Sequence, residues 1–264
     1  MITSTQNPRL KAAARLREST RERERSGQIL IDGLRAARLA DERGITLIEI
    51  FLAADRASHE EAEFAHRLAA RGVVVEEVAP EAFRKVAYGD APDHLVAVAQ
   101  RPETGLDHIL PPKPALLVVV EGVEKPGNLG AILRTADAVG VHGVIVSGPG
   151  CDPFGPNVVR SSRGTLFSVP LAVAEPQRVA DWLYALNIPL VAATPDAEHL
   201  YTAAPLAGPC AIAVGAEHAG LSPELRAAAS FHLKLPMRGA ADSLNVSVTC
   251  AVLLYEALRQ RAAL

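Results

Sequence analysis

The sequence predicts an α/β protein: a mostly parallel, doubly wound sheet in the C-terminal part, preceded by a smaller α/β unit. Three observations predict it. Of the 264 residues 49% are apolar but only 4% aromatic, so the core is mainly Ala, Val and Leu. That mix suits strands covered on both faces by helices. Short apolar runs alternate with stretches of helical periodicity. A proline-rich stretch, residues 101–114, interrupts the alternation with Pro102, Gly105, Pro111, Pro112 and Pro114. Proline fixes φ and removes a hydrogen-bond donor, which marks a linker.

Before the linker, residues 28–31, 47–52, 73–78 and 94–99 read as strands, and 34–43, 60–71 and 81–86 as helices. This makes a compact unit of about four strands. After it, residues 115–120, 143–146, 189–193, 210–214 and 231–235 read as strands buried on both faces. Helices are expected at 129–139, 177–186 and 223–229. A final helix over 245–261 carries the apolar stripe Val246, Cys250, Leu253, Leu254, Ala257 and Leu258, with Arg259 and Arg261 at its negative end. The expected organisation is a domain over 1–104, a linker over 105–114 and a domain over 115–264. Ligands of such a sheet bind at the C-terminal ends of its strands.

The net charge of −3 neither supports nor excludes a nucleic-acid partner. Its distribution says more: Arg9, Lys11, Arg15, Arg17, Arg21, Arg23 and Arg25 face only Glu18, Glu22 and Glu24 over the same stretch. This is either a solvated charged helix or an arm that contacts phosphates. The cysteines, Cys151, Cys210 and Cys250, are odd in number and widely spaced, which argues against disulfides and zinc and fits a reducing, cytoplasmic setting. No apolar run reaches the ~18–20 residues that span a bilayer. His142, His199, His218 and His232 lack metal-ligand spacing, so no metal is expected. Nucleophile-elbow, Walker and G-x-G-x-x-G motifs are all missing, which argues against a serine hydrolase and a nicotinamide-dependent dehydrogenase.

Three segments, each just after an expected strand, carry the candidate chemistry. In the first, Glu121 to Arg134, a glycine-rich turn leads into a helix. Asn128 is placed to cap that helix, and Arg134 falls off its apolar stripe, free to reach an anion or to remain a surface charge. In the second, Ala211 to Pro223, a buried strand ends in a turn with Gly215, Glu217 and Gly220, and Ser222 caps a helix with Pro223 at its first position. In the third, Leu233 to Ser247, a strand enters a long loop where Asp242, Ser243 and Asn245 are all good caps although one suffices. Redundant capping explains that loop, and so does a loop shaped around a ligand.

Together and in this order, the segments resemble the SpoU (TrmH-type) RNA ribose methyltransferases, a branch of the SPOUT superfamily. The resemblance rests on Glu124-Lys125-Pro126-Gly127-Asn128-Leu129-Gly130 with Arg134, on Gly215-Ala216-Glu217-His218-Ala219-Gly220-Leu221, and on Leu235-Pro236-Met237 with Ser243-Leu244-Asn245-Val246-Ser247. It covers about Pro114 to the C-terminus. The opening Ile2 to Lys11 is similar to the substrate-binding domain of some family members, which itself resembles small ribosomal RNA-binding proteins.

The resemblance implies a C-terminal sheet tied in a trefoil knot, an exception to the rule that chains avoid knots. It implies S-adenosylmethionine as cofactor, a homodimer, and methylation of a ribose 2′-OH in structured RNA. Large-subunit ribosomal RNA is expected over transfer RNA. The alternatives are a transfer-RNA 2′-O-methyltransferase and an inactive RNA-binding member. By motif, Asn128, Arg134, Glu217, Ser243 and Asn245 match the active-site positions. The cofactor would lie against Thr194, Gly215, Glu217, Leu235, Met237 and Leu244. Arg9, Lys11, Arg15 and Arg17 are the expected RNA contacts.

Overall fold

The computed structural model describes residues 1–88, 93–216 and 219–262. In chain order its first half holds α1 (Pro8–Glu18), α2 (Thr20–Ser26), β1 (Gln28–Asp32), α3 (Leu34–Glu42), β2 (Leu47–Ala53), α4 (His59–Ala69), β3 (Val74–Val78), α5 (Pro80–Phe83) and β4 (Leu95–Gln100). There follow β5 (Leu116–Glu121), α6 (Pro126–Val139), β6 (Gly143–Ser147), α7 (Pro156–Ser161), β7 (Leu171–Ala174), α8 (Pro176–Ala185) and β8 (Leu190–Ala193). The chain ends with β9 (His199–Leu200), β10 (Cys210–Val214), α9 (Pro223–Ala228), β11 (Ala229–Lys234) and α10 (Val246–Ala262).

The chain forms two compact units, one of residues 1–102 with 152–168, the other of residues 103–151 with 169–264. The first unit has a four-stranded sheet in the order β1-β4-β2-β3, with β4 antiparallel to both neighbours and β3 parallel to β2. Leu30, Phe51, Val78 and Val96 from the sheet meet Leu10 and Leu16 of α1 in its core. α1 starts where Asn7 accepts a hydrogen bond from the Arg9 amide and Pro8 takes the first helical position. Residues 152–168, which carry α7, belong to this unit although both flanking strands belong to the other sheet. No apolar run in the sequence announces that excursion.

The second unit is a seven-stranded sheet in the order β7-β6-β5-β10-β8-β11-β9, and every pairing is parallel. The central strands are buried along their whole length, which is why they read as continuous apolar runs. The order turns at β5 and β10: β6 and β7 extend one way, β8, β11 and β9 the other. A switch of this kind opens a crevice beyond the C-terminal ends of the strands. α10 buries Val246, Cys250, Leu253, Leu254 and Ala257 and packs on α6 and β10. β7, β9 and α7 had no counterpart in the sequence reading.

Among the described residues no helix is long and apolar enough to cross a membrane.

Candidate cofactor pocket

A cavity of about 610 Å³ opens at the C-terminal ends of β8, β10 and β11. Ala193, Val214 and Leu233 form its floor at the strand ends. The turn Gly215, Ala216, Ala219 and Gly220 makes one wall, and the loop from Leu235 to Leu244 makes another. The lining is part apolar, from Leu200, Val214 and Leu233, and part polar, from Thr194, Asp242 and Ser243. Arg226 and Lys234 also reach it.

Two local features shape the cavity. Gly215 is packed against the return of its own turn: a Cβ there would sit 2.3 Å from the Gly220 carbonyl and 2.6 Å from the Leu221 nitrogen. Only glycine lets the two backbone strands of that turn close on each other. Ala216 and Gly220 exchange backbone hydrogen bonds of 3.2 and 3.0 Å, which holds the turn shut. Thr194 is 4% exposed; its hydroxyl has no hydrogen-bond partner at ordinary distance among the described residues, although it leans toward the Asp196 carboxylate, which Arg226 and then this hydroxyl help to hold below its usual range. A buried hydroxyl without a partner carries a desolvation cost that a ligand can relieve.

A buried carboxylate braces the turn from behind. Glu121, the last residue of β5, is 5% exposed and accepts a 2.7 Å hydrogen bond from the Ser222 amide. Ser222 in turn caps α9 through the Leu225 amide at 3.4 Å. Glu121 thus fixes the start of α9 and the exit of the 215–220 turn. It opens the first motif but is not among the residues that the motifs mark for the site. The available signal was a carboxylate closing an otherwise apolar strand.

Thr194, Gly215, Leu235, Met237 and Leu244, the expected cofactor residues, line this one cavity together with Ser243. Glu217 lies outside the described residues. Asn128 and Asn245 meet each other, the Asn245 amide donating to the Asn128 side-chain oxygen at 3.1 Å. Asn245 also accepts from the Ser247 amide at 2.9 Å and the Ser247 hydroxyl at 2.7 Å, so it is the cap of α10. Asp242 and Ser243 are therefore not caps; they face the cavity. Asn128 is not a cap either, because α6 starts one turn early, with Pro126 at its first position and Lys125 before it. Its side chain is thereby released to join the two motifs. Arg134 is exposed on α6 and makes no hydrogen bond or ion pair among the described residues.

The expected RNA contacts divide. Arg9 pairs with Glu49 at 3.3 Å and with Glu76. Arg17 donates to the Ala87 carbonyl at 2.9 Å and pairs with Glu18 at 3.1 Å. The Lys11 side chain makes no hydrogen bond or ion pair among the described residues, and Arg15 acts on Glu22 only through its charge.

Comparison with known proteins extends this picture. A model of the SpoU rRNA Methylase family matches residues 115–255, and one of the MRM3-like substrate binding domain matches residues 7–97. The chain is 35% identical to a 23S rRNA (uridine(2479)-2′-O)-methyltransferase of Streptomyces viridochromogenes, over 98% of this chain and 92% of that protein. The solved SpoU methyltransferase AviRb of that organism, in complex with AdoMet, superposes with a TM-score of 0.89 at 32% identity, covering 97% of this chain and 100% of the other. A solved RNA 2′-O ribose methyltransferase is 44% identical, with a TM-score of 0.85 and 99% of both chains covered.

Proposed function

The chain belongs to the SpoU rRNA Methylase family, and we propose that it methylates a ribose 2′-OH in large-subunit ribosomal RNA with S-adenosylmethionine as donor. The observation that carries this reading is the cavity at the C-terminal ends of β8, β10 and β11. The three sequence motifs converge on its walls and on the Asn128–Asn245 hydrogen bond beside them.

The residues present fit the cofactor. Its nucleoside needs an apolar slot with a few polar contacts, which Leu235 and Leu244 provide with the unpartnered Thr194 hydroxyl. The tight Gly215 turn leaves backbone groups at the wall where side chains would block them. When bound, S-adenosylmethionine supplies an electrophilic methyl group. The protein's part is to hold, align and polarise. A ribose hydroxyl is a weak nucleophile at neutral pH. Arg134 is assigned to bind the substrate phosphate and the 2′-oxygen, stabilising charge that develops on that oxygen. A guanidinium stays protonated, so the hydroxyl proton leaves to phosphate or water. Asn128 and Glu217 orient the arginine and the nucleotide, and Ser243 and Asn245 shape the pocket.

The remaining parts of the reading follow from the family. The first unit, residues 1–102 with 152–168, holds RNA, and the second, residues 103–151 with 169–264, carries out transfer. The last segment of the C-terminal sheet threads through a loop to make the trefoil knot. The enzyme is a cytoplasmic homodimer, with the exposed apolar side of α10 as support for the dimer: Val248 is 46% exposed, Tyr255 55% and Leu258 39%.

The test uses protein with tritium-labelled S-adenosylmethionine and separate pools of ribosomal and transfer RNA. Label in ribosomal RNA, mapped to a 2′-O-methylated nucleotide, is the expected outcome. Label in transfer RNA alone would replace the substrate. Arg134→Ala is expected to bind cofactor normally and to lose at least a hundredfold in turnover, the order seen when a donor to a developing oxyanion is removed. Unchanged turnover would remove Arg134 from the mechanism.

A further inference from the structure

Among the described residues three non-glycine residues adopt positive φ: Asp55, Asn187 and Arg163. Asp and Asn tolerate the left-handed region because their short polar side chains bond locally; arginine does not. Arg163 follows α7 with φ +53, and Gly164 follows it with φ +87. The strain at Arg163 has an identifiable partner. Gly164 is pressed onto α3 so closely that a Cβ would lie 2.9 Å from the Ala36 Cα and 2.9 Å from a Leu39 methyl. The chain must reverse here, and glycine alone fits at the point of contact. What contact does not require is an arginine at the preceding left-handed position, where asparagine or glycine would sit at less cost.

That arginine is exposed, and so is Arg35, the neighbour of Ala36 on α3. Neither guanidinium makes a hydrogen bond or ion pair among the described residues. Arg38, one turn along α3, is by contrast paired with Glu60 at 3.2 Å. Since Gly164 touches Ala36, the Cα atoms of Arg163 and Arg35 lie within about 12 Å, from two 3.8 Å chain steps and one contact. Two arginine side chains on that spacing reach adjacent phosphates of one strand.

We infer that Arg35 and Arg163 form a phosphate-binding pair that holds the RNA substrate on the first unit, beside the α3–α7 contact. The inference rests on the reading of the chain as an RNA methyltransferase and adds a positioning surface to it. It also explains why 152–168 leaves the sheet that flanks it: the excursion carries a fixed cation to the substrate-binding unit. Arg9 and Arg17, by contrast, are each paired with carboxylates within that unit.

The test measures binding of deproteinised large-subunit ribosomal RNA across a salt series, with steady-state methylation alongside. The variants are Arg163→Gly, Arg163→Lys and Arg35→Ala with Arg163→Gly. The double variant is expected to raise KM for RNA about tenfold with kcat and cofactor affinity unchanged, and to flatten the salt slope by about 1.4 to 1.8, the loss of two phosphate contacts. Arg163→Lys is expected to restore most of the binding. Arg163→Gly relieves the backbone, so its melting temperature should hold or rise while RNA binding weakens. A fall in melting temperature with unchanged RNA binding would make Arg163 structural and overturn the inference. An unchanged salt slope in the double variant, with wild type active, would overturn the pair and leave the methyltransferase reading standing. Failure of wild type itself to bind RNA would overturn both.

Discussion

Single residues set the limits of both units. Gly215→Ala places a Cβ at 2.3 Å from the Gly220 carbonyl, so the turn must open. Cofactor affinity is expected to fall at least tenfold, about 1.4 kcal/mol, by calorimetry, with circular dichroism unchanged. Wild-type affinity would separate the turn from the cofactor. In the first unit, burial and the neighbouring Asp93 charge push the Asp32 carboxyl up to about 7, against the pull of Arg160 at 3.3 Å. An aspartate in an unfolded chain titrates near pH ~4. Between pH ~4 and ~7 the unfolded chain has lost a proton that the folded chain keeps. Stability from this group is therefore full below pH ~4, falls as pH rises to ~7, and stays low above. Asp32→Asn cannot ionise and lacks that slope. Relative to wild type it should gain stability at pH 8 over pH 5 in urea melts. The same wild-type-to-variant difference at both pH values would mean that Asp32 titrates normally.

At the scale of elements, the buried arginine is the instructive case. Arg23 lies in the run that reads as a solvated or phosphate-contacting helix, yet it is 4% exposed. Its Nε donates to Asp152 at 2.7 Å and one Nη to Thr20 at 2.9 Å, while the other Nη reaches the Leu16 carbonyl. It thus ties α1 and α2 to the 152–168 segment. Breaking a buried pair strands the remaining charge, so Arg23→Ala should cost about 3–5 kcal/mol in a denaturant melt of the first unit. A loss below about 1 kcal/mol, the level of a surface pair, would mean that water replaces the guanidinium. The sequence hides this role because a charge run looks the same whether one member is buried or all are solvated. The strands were legible for the opposite reason: β5, β6 and β10 are buried on both faces, and continuous apolar runs have few other uses. β7 and β9 were not, since four and two residues carry too little pattern. At the site, capping chemistry marks Ser222 by residue type but leaves Asn245 one of three candidates with Asp242 and Ser243, and it puts the cap of α6 at Asn128, one turn late, because Pro126 starts that helix early. Thr194 was named through the family resemblance alone; nothing in its neighbours marks a hydroxyl that ends buried and unpartnered.

The whole molecule raises the question of assembly, and α10 frames it. One side of the helix is spent on α6 and β10. The other presents Val248 and Tyr255, two turns apart on one face, with Leu258 beside them. A solvated helix gains nothing from such a stripe, whereas a two-fold dimer buries it twice, because the same patch serves both partners. Stable dimers of this kind cover about 800 Å² per partner, more than one helix face supplies, so neighbouring surface must join α10. Self-complementarity makes a charge here unusually damaging: Tyr255→Glu sets two carboxylates into one apolar interface. The variant should sediment as a monomer at micromolar concentration where wild type sediments as a dimer, with its melting temperature little changed because Tyr255 contributes to no core in the single chain. Should wild type sediment as a monomer, the dimer reading falls, and the stripe would then be an apolar patch in search of another partner. Should Tyr255→Glu remain dimeric, the two-fold axis lies away from α10. Methylation rates of the monomeric variant decide what the dimer is for. If cofactor binding survives while turnover collapses, the second copy completes the site rather than merely stabilising it.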